Sequence, residues 1–337
     1  MNFASQNVLK PRDVGLILSY RCQADCAHCI YNCGKSYHDW MTPQEVRVVL
    51  TNARAVWGRG FQVHLTGGEP FLNFPLLLES TRIAVELGIP VYLETNVGWI
   101  RDRERAVDRF RLLRDAGLGM VLVSVSPFHQ GSIPLQQTLD GISAARQVFG
   151  SSDVFVYQSE WLPEMAKWDH GETVSLDQYA EAYGRDQAGL RFWMGFGVVS
   201  GGRAGYRLGD LIAKRPAESF RGENCQHDML YAQHSHLDLF GNFIPSSCAG
   251  IRLGDWHSLD EIVRQYRQGE KMPSLIALLG TQGSFGLYEW AAAKYGYQPL
   301  PGGYAGKCHL CVDVRRHLVN LGIEKDTLAP QAFYDAF

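Results

Sequence analysis

The chain has 337 residues, 46% hydrophobic, 20% charged and 12% aromatic, a globular composition that excludes wholesale disorder. Its 32 basic and 35 acidic residues leave a net charge of −3, so nothing offers a basic surplus to nucleic acid or to an anionic membrane, and neither partner is expected. The longest apolar runs, such as 120–123, fall far short of the roughly 20 residues of a membrane span, and residues 1–13 carry no targeting signal, so a cytoplasmic protein is expected.

Short apolar runs at 14–18, 62–65, 91–94, 120–125, 154–157 and 192–195 predict six buried strands. Between them lie helical patterns. Thr42-Pro43-Gln44-Glu45 opens the first as a capping box with proline at the first helical position; others cover 76–87, 102–115 and 134–149. The stretch 101–115 holds six arginines and four acids and reads as a solvated, ion-paired face. Repeated strand–helix units predict an α/β fold, a partial (β/α)6 TIM-like barrel with a parallel sheet, over residues 1–205. The glycine-rich stretch 197–205 then reads as a loop leaving the sheet. Residues 206–337 predict a smaller, cysteine-bearing extension with a short strand at 236–240, a turn at Gly241-Asn242, and helices at 259–268 and 285–295.

Eight cysteines in a reducing compartment point to metal ligands rather than disulfides. Cys22-x3-Cys26-x2-Cys29 directly follows the first predicted strand, which puts three thiolates at the carboxyl end of a parallel sheet. Three such thiolates hold three corners of a 4Fe–4S cube and leave one iron open; a zinc site completed by His28 or Cys33 is the rival reading. Gly67-Gly68-Glu69-Pro70 ends the next strand and faces the same mouth. Its glycines let backbone approach a ligand, and Glu69 offers a carboxylate to an ammonium group.

Together these motifs resemble the radical S-adenosylmethionine (SAM) superfamily. The resemblance implies that Cys22, Cys26 and Cys29 hold a 4Fe–4S cluster whose open iron chelates SAM. One-electron reduction then yields a 5′-deoxyadenosyl radical that abstracts hydrogen from the substrate. It places Gly67, Gly68, Glu69 and Pro70 along the SAM methionine moiety, His28 near the adenine, and Asn96, Ser124 and Ser126 among the polar SAM contacts. Cys33 is left over and is expected to be a partly exposed bystander, since a fourth thiolate would block the open iron. The segment 236–248 and the pair Cys308-x2-Cys311 are similar to the SPASM/twitch extension of that superfamily. This implies a second, auxiliary 4Fe–4S cluster on Cys225, Cys248, Cys308 and Cys311, with Gly202-Arg203-Ala204 at the join. A four-cysteine zinc site, or a free Cys225 or Cys248 thiol that donates hydrogen, stays open for this group.

Only 21 residues precede Cys22, too few for a leader-recognition domain. That favours a small-molecule substrate, or a peptide delivered by a separate protein, with flavodoxin or ferredoxin as the electron donor. His129, Tyr157, Gln158, Glu160 and Trp161 are candidates for the cavity wall, with Glu160 as substrate contact or base. A non-catalytic iron–sulfur or zinc protein is the competing class.

Overall fold

The structure is a computed structural model that describes residues 7–195, 197–270 and 272–337. Its centre is one seven-stranded sheet in the order β5-β4-β3-β2-β1-β6-β7. β1 (Asp13–Ser19), β2 (Gln62–Gly67), β3 (Val91–Thr95), β4 (Met120–Ser124) and β5 (Val154–Tyr157) run parallel in chain order. β6 (His234–Asp238) adds parallel to the other side of β1, with Asp13 opposite His234 and Ile17 opposite Asp238. β7 (Phe243–Pro245) returns antiparallel to β6 through a turn at Gly241, whose φ of 84° suits glycine. The sheet does not close, so the fold is an open, partial barrel.

Helices α1 (Pro43–Trp57), α2 (Phe74–Glu86), α3 (Arg103–Asp115) and α4 (Leu135–Phe149) provide the crossovers that parallel neighbours require. α1 starts where the sequence places it: the Glu45 amide donates to the Thr42 hydroxyl, and the Thr42 amide donates to the Glu45 carboxylate. It buries Val46, Val49, Leu50, Ala53 and Trp57. α3 buries Ala106, Val107, Phe110 and Leu113 and turns its arginines outward, the solvated face expected.

Strands β3 to β5 alternate in burial. Val91, Leu93, Val121, Val123, Val154 and Val156 are buried, while Tyr92, Glu94, Leu122, Ser124, Phe155 and Tyr157 are not. Parallel strands are ordinarily packed on both faces; here the concave face lines a cavity instead.

The stretch 192–195, expected as the sixth barrel strand, is a π-helical turn, Arg191–Gly195, that continues a short helix, Arg185–Leu190. An apolar run of four residues carries no period that separates strand from helix. The sixth parallel strand is β6, which begins two residues before the expected 236 and belongs to the same sheet.

Past β7 come α5 (Leu259–Gln268), α6 (Ser274–Tyr295) and α7 (Lys307–Asn320). α6 breaks at Gly283 (φ 63°, ψ −157°), so the expected helix 285–295 is its second half. A side chain at Gly283 would strike the Glu223 carbonyl; the kink lets residues 223–225 pass, and the Cys225 amide donates to Leu279 O at 3.0 Å. Among the described residues no helix is long and apolar enough to cross a membrane.

Candidate functional site

The loop between β1 and α1 is tied at both ends. Gly34 N donates to Tyr20 O and Cys22 N to Gly34 O, both at 3.0 Å, so residues 22–33 form a closed excursion at the carboxyl end of β1. A turn with Cys29 N on Cys26 O at 3.1 Å folds the three cysteines of the spacing motif together. The Cys22 sulfur accepts from Ala24 N and from Asn96 Nδ2, each at 3.4 Å, the donors a thiolate ligand needs. In the metal-free chain burial pushes the Cys22 thiol up to about 12, so binding a cation there releases a proton.

The Gly67-Gly68 turn lies against this loop. Gly68 N donates to Ser19 O and Glu69 N to Arg21 O, both at 2.9 Å. Gly67 has φ 121°, and a side chain at Gly68 would strike the Arg21 carbonyl. The glycines are therefore required first by the cysteine loop itself.

Cys22, Cys26, Cys29, Gly67, Gly68, Asn96 and Ser124 share one cavity of about 570 Å³. His28 is on its wall, stacked on Phe128 at 4.5 Å between ring centroids. Burial holds His28 well below its usual range, so it is a neutral ring. Tyr92, Glu94, His129 and Tyr157 extend the wall along β3 to β5.

Other expected residues are placed differently. Glu69 is fully buried and off the cavity wall: its carboxylate accepts from Thr95 Oγ1 (2.9 and 3.0 Å), Asn96 N (2.9 Å) and Phe71 N (3.2 Å). Burial, against those hydrogen bonds, raises it to about 7. Pro70 is buried and opens the 3-10 turn Pro70–Asn73. Ser126 is buried, caps the next turn and contacts His129 Nδ1 at 2.6 Å. Glu160 is exposed and does not reach the cavity, because Gln158 takes a left-handed conformation (φ 61°) that turns the chain aside after Tyr157. Cys33 is buried, not partly exposed, and lies on the cavity wall, where its thiol lowers the neighbouring Cys29.

Arg203, expected only as part of the join to the extension, stands at the site. The 197–205 loop folds back over the cysteines: Arg203 N donates to Cys29 O at 3.1 Å, and a side chain at Gly202 would meet Ile30 O. The Arg203 guanidinium pairs with Asp25 and Cys33 O, and its buried Nε has no partner among the described residues. One fixed cation thus stands on the cavity wall.

The second cysteine group does converge. Cys225, Cys248, Cys308 and Cys311 line a separate small cavity of about 40 Å³ together with Asp228, Lys307 and Arg315. Burial raises Cys225 and Cys308 to about 12 and holds Cys248 well above the usual thiol value. Arg315 is buried beneath them, held by Ala249 O and Tyr334 Oη at 2.9 Å.

Residues 16–157 match the family model described as the Radical SAM superfamily. No curated protein matches the chain. Among solved structures it is similar to BtrN in complex with AdoMet and 2-DOIA, at 12% identity and TM-score 0.44, over 80% of this chain and 87% of that one. It is similar to hexahistidine-tagged anSMEcpe with bound AdoMet at 12% identity and TM-score 0.44, over 97% and 98%. Methylornithine synthase (PylB) shares 19% identity at TM-score 0.32, over 42% of each chain.

Proposed function

We propose, from the Radical SAM superfamily domain matched at residues 16–157, that this chain is a radical SAM enzyme, that Cys22, Cys26 and Cys29 hold its SAM-binding 4Fe–4S cluster, and that the shared cavity takes a small molecule or a carrier-delivered peptide. The observation that carries this reading is the joint lining of one cavity of about 570 Å³ by the three thiols, the Gly67-Gly68 backbone and the polar ends of β3 and β4. When bound, the cluster and SAM supply one-electron cleavage to a 5′-deoxyadenosyl radical, which takes a hydrogen atom from the substrate.

The chain's own residues bind, orient and exclude water. Asn96 donates to the Cys22 sulfur while its side-chain oxygen accepts from Gln23 Nε2 and Gly98 N, so it holds the loop against β3. The stacked His28–Phe128 pair offers a flat, neutral surface suited to adenine. Arg203, paired with Asp25 and Cys33 O, keeps one buried donor, Nε, that a ligand oxygen in the cavity can accept from. Gly202, packed on the Ile30 carbonyl, holds the 197–202 loop as a roof that limits water.

We assign the second group, Cys225, Cys248, Cys308 and Cys311, to an auxiliary 4Fe–4S cluster of twitch type. Four thiolates on a cube leave net negative charge, and the buried Arg315 with Lys307 beside it offsets that charge. A one-electron donor of the flavodoxin or ferredoxin kind completes the system.

The test is formation of 5′-deoxyadenosine by anaerobically reconstituted protein given SAM and dithionite, followed by mass spectrometry. Product that disappears in Cys22→Ala supports the assignment. Cleavage that survives Cys22→Ala overturns it, and a fully iron-loaded chain that neither binds nor cleaves SAM favours the electron-carrier reading.

A further inference from the structure

Three histidines outside both cysteine groups meet across β1. Alternation along β6 puts His234 and His236 on one side of the strand. The register sets His236 opposite Gly15, and Gly15 opposite His64 on β2. Glycine is required between them: a Cβ at Gly15 would fall 2.6 Å from His236 Nε2 and 2.7 Å from His64 Nε2. The absent side chain is what lets two imidazoles from strands on either side of β1 approach each other.

Their donor atoms converge. One ring nitrogen from each of the three lies within 4.8 Å of the other two, and His234 Nε2 is 3.2 Å from His236 Nε2. Nitrogens bound at 2.0–2.1 Å to one tetrahedral ion stand roughly 3.4 Å apart. The outer faces are oriented as metal-binding imidazoles are. His64 Nδ1 lies 2.5 Å from Asp13 Oδ1, and His236 Nδ1 lies 3.1 Å from Ser246 O. Asp13 fixes the His64 proton on Nδ1 and turns its Nε2 lone pair inward, while His236 Nδ1 faces both Ser246 O and the Tyr31 hydroxyl at 2.8 Å. Asp13 is itself held, accepting from Gln62 Nε2 at 2.7 Å and Tyr92 Oη at 3.0 Å.

One nitrogen is left unsatisfied. The His64 side chain is 0% exposed, and its Nε2 has no hydrogen-bond partner among the described residues. A buried polar atom without a partner is costly and calls for an explanation such as an ion. The nearest charged atom is Glu94 Oε1 at 3.7 Å, and the Tyr31 hydroxyl lies 3.0 Å from His236 Nε2. His234, His236, Glu94 and Tyr31 all line the large cavity, so one side of the cluster faces it.

We propose that His64, His234 and His236 bind one first-row divalent ion, zinc or ferrous iron, at the floor of the cavity. Three neutral imidazoles with an open fourth position suit such ions. Asp13 and Glu94 supply the compensating negative charge, and the open position faces the space where substrate would sit. The site is independent of the assignment of either cysteine group.

The test uses the cluster-loaded chain, washed with a chelator, incubated with zinc, desalted and analysed for zinc and iron. One zinc per chain beyond the iron is expected, with only nitrogen and oxygen neighbours in zinc-edge X-ray absorption. His234→Ala removes it; because His234 is exposed, this variant is expected to fold, which circular dichroism checks. Asp13→Asn weakens it by roughly 10- to 100-fold, and Cys308→Ala leaves it in place. Absence of zinc beyond the iron, zinc that survives His234→Ala, or sulfur in its coordination shell would overturn the proposal.

Discussion

The two cysteine groups answer the same chemical demand in opposite ways. Cys22, Cys26 and Cys29 share one loop on the wall of a cavity of about 570 Å³; Cys225, Cys248, Cys308 and Cys311 come from three separate segments into about 40 Å³. The first has Arg203 on its cavity wall, paired with Asp25 and Cys33 O of the cysteine loop itself; the second has the buried Arg315 on its wall. Three ligands beside open space leave a coordination position for chemistry, whereas four ligands in a tight chamber leave none. On the proposed assignment, the fourth ligand and the volume beside it separate a reactive metal site from a closed one.

The largest test of that contrast is Cys22→Ala. It should remove 5′-deoxyadenosine formation and lower iron from about eight to about four per chain, read by mass spectrometry and iron assay. Cys248→Ala should lose the same iron but keep SAM cleavage; a variant that loses both would erase the distinction. Gly68→Ala, which drives a methyl into the Arg21 carbonyl, should cost about 4 kcal/mol in denaturant unfolding, with the loop site lost before the closed one.

Glu69 sharpens the comparison through pH. Its folded value of about 7 lies above the ordinary 4.5, so between those limits the folded chain keeps a proton that the unfolded chain has released. Stability should therefore fall as pH rises from about 4.5 to about 7, by about 3 kcal/mol. Glu69→Gln should flatten that part of the stability profile, measured by urea melts at several pH values. The smallest effect is expected at Glu160→Gln, outside the cavity: stability within about 0.5 kcal/mol and unchanged SAM cleavage.

How much of this was legible in the sequence follows from distance along the chain. The Cys22, Cys26, Cys29 loop, the Gly67-Gly68 turn and the Thr42 cap are each set by neighbours a few residues away, and spacing reveals them. The strand expected at 192–195 failed because four apolar residues carry no period, and the sixth strand was already visible in part at 236–240. The settings of Glu69, Arg203 and Cys33 were not legible because they come from other segments: Thr95 and Asn96 for Glu69, Asp25 for Arg203, and the Arg203 segment folded onto the loop for Cys33. The three histidines lay in plain view as His234-x-His236 and a single His64. Only the register through Gly15 brings them together, and no local pattern encodes it.

That same register has a consequence for how the protein is made. β1 leaves the ribosome well before its second partner, which begins at His234. Until β6 arrives, one side of β1 is an unpaired, apolar edge, a template for wrong pairing with another nascent chain. A fragment ending at residue 205 would keep the loop cysteines and that bare edge together. The second cysteine group therefore lies in the part of the chain that completes the sheet beside the first, and a cut between the two groups leaves that sheet incomplete.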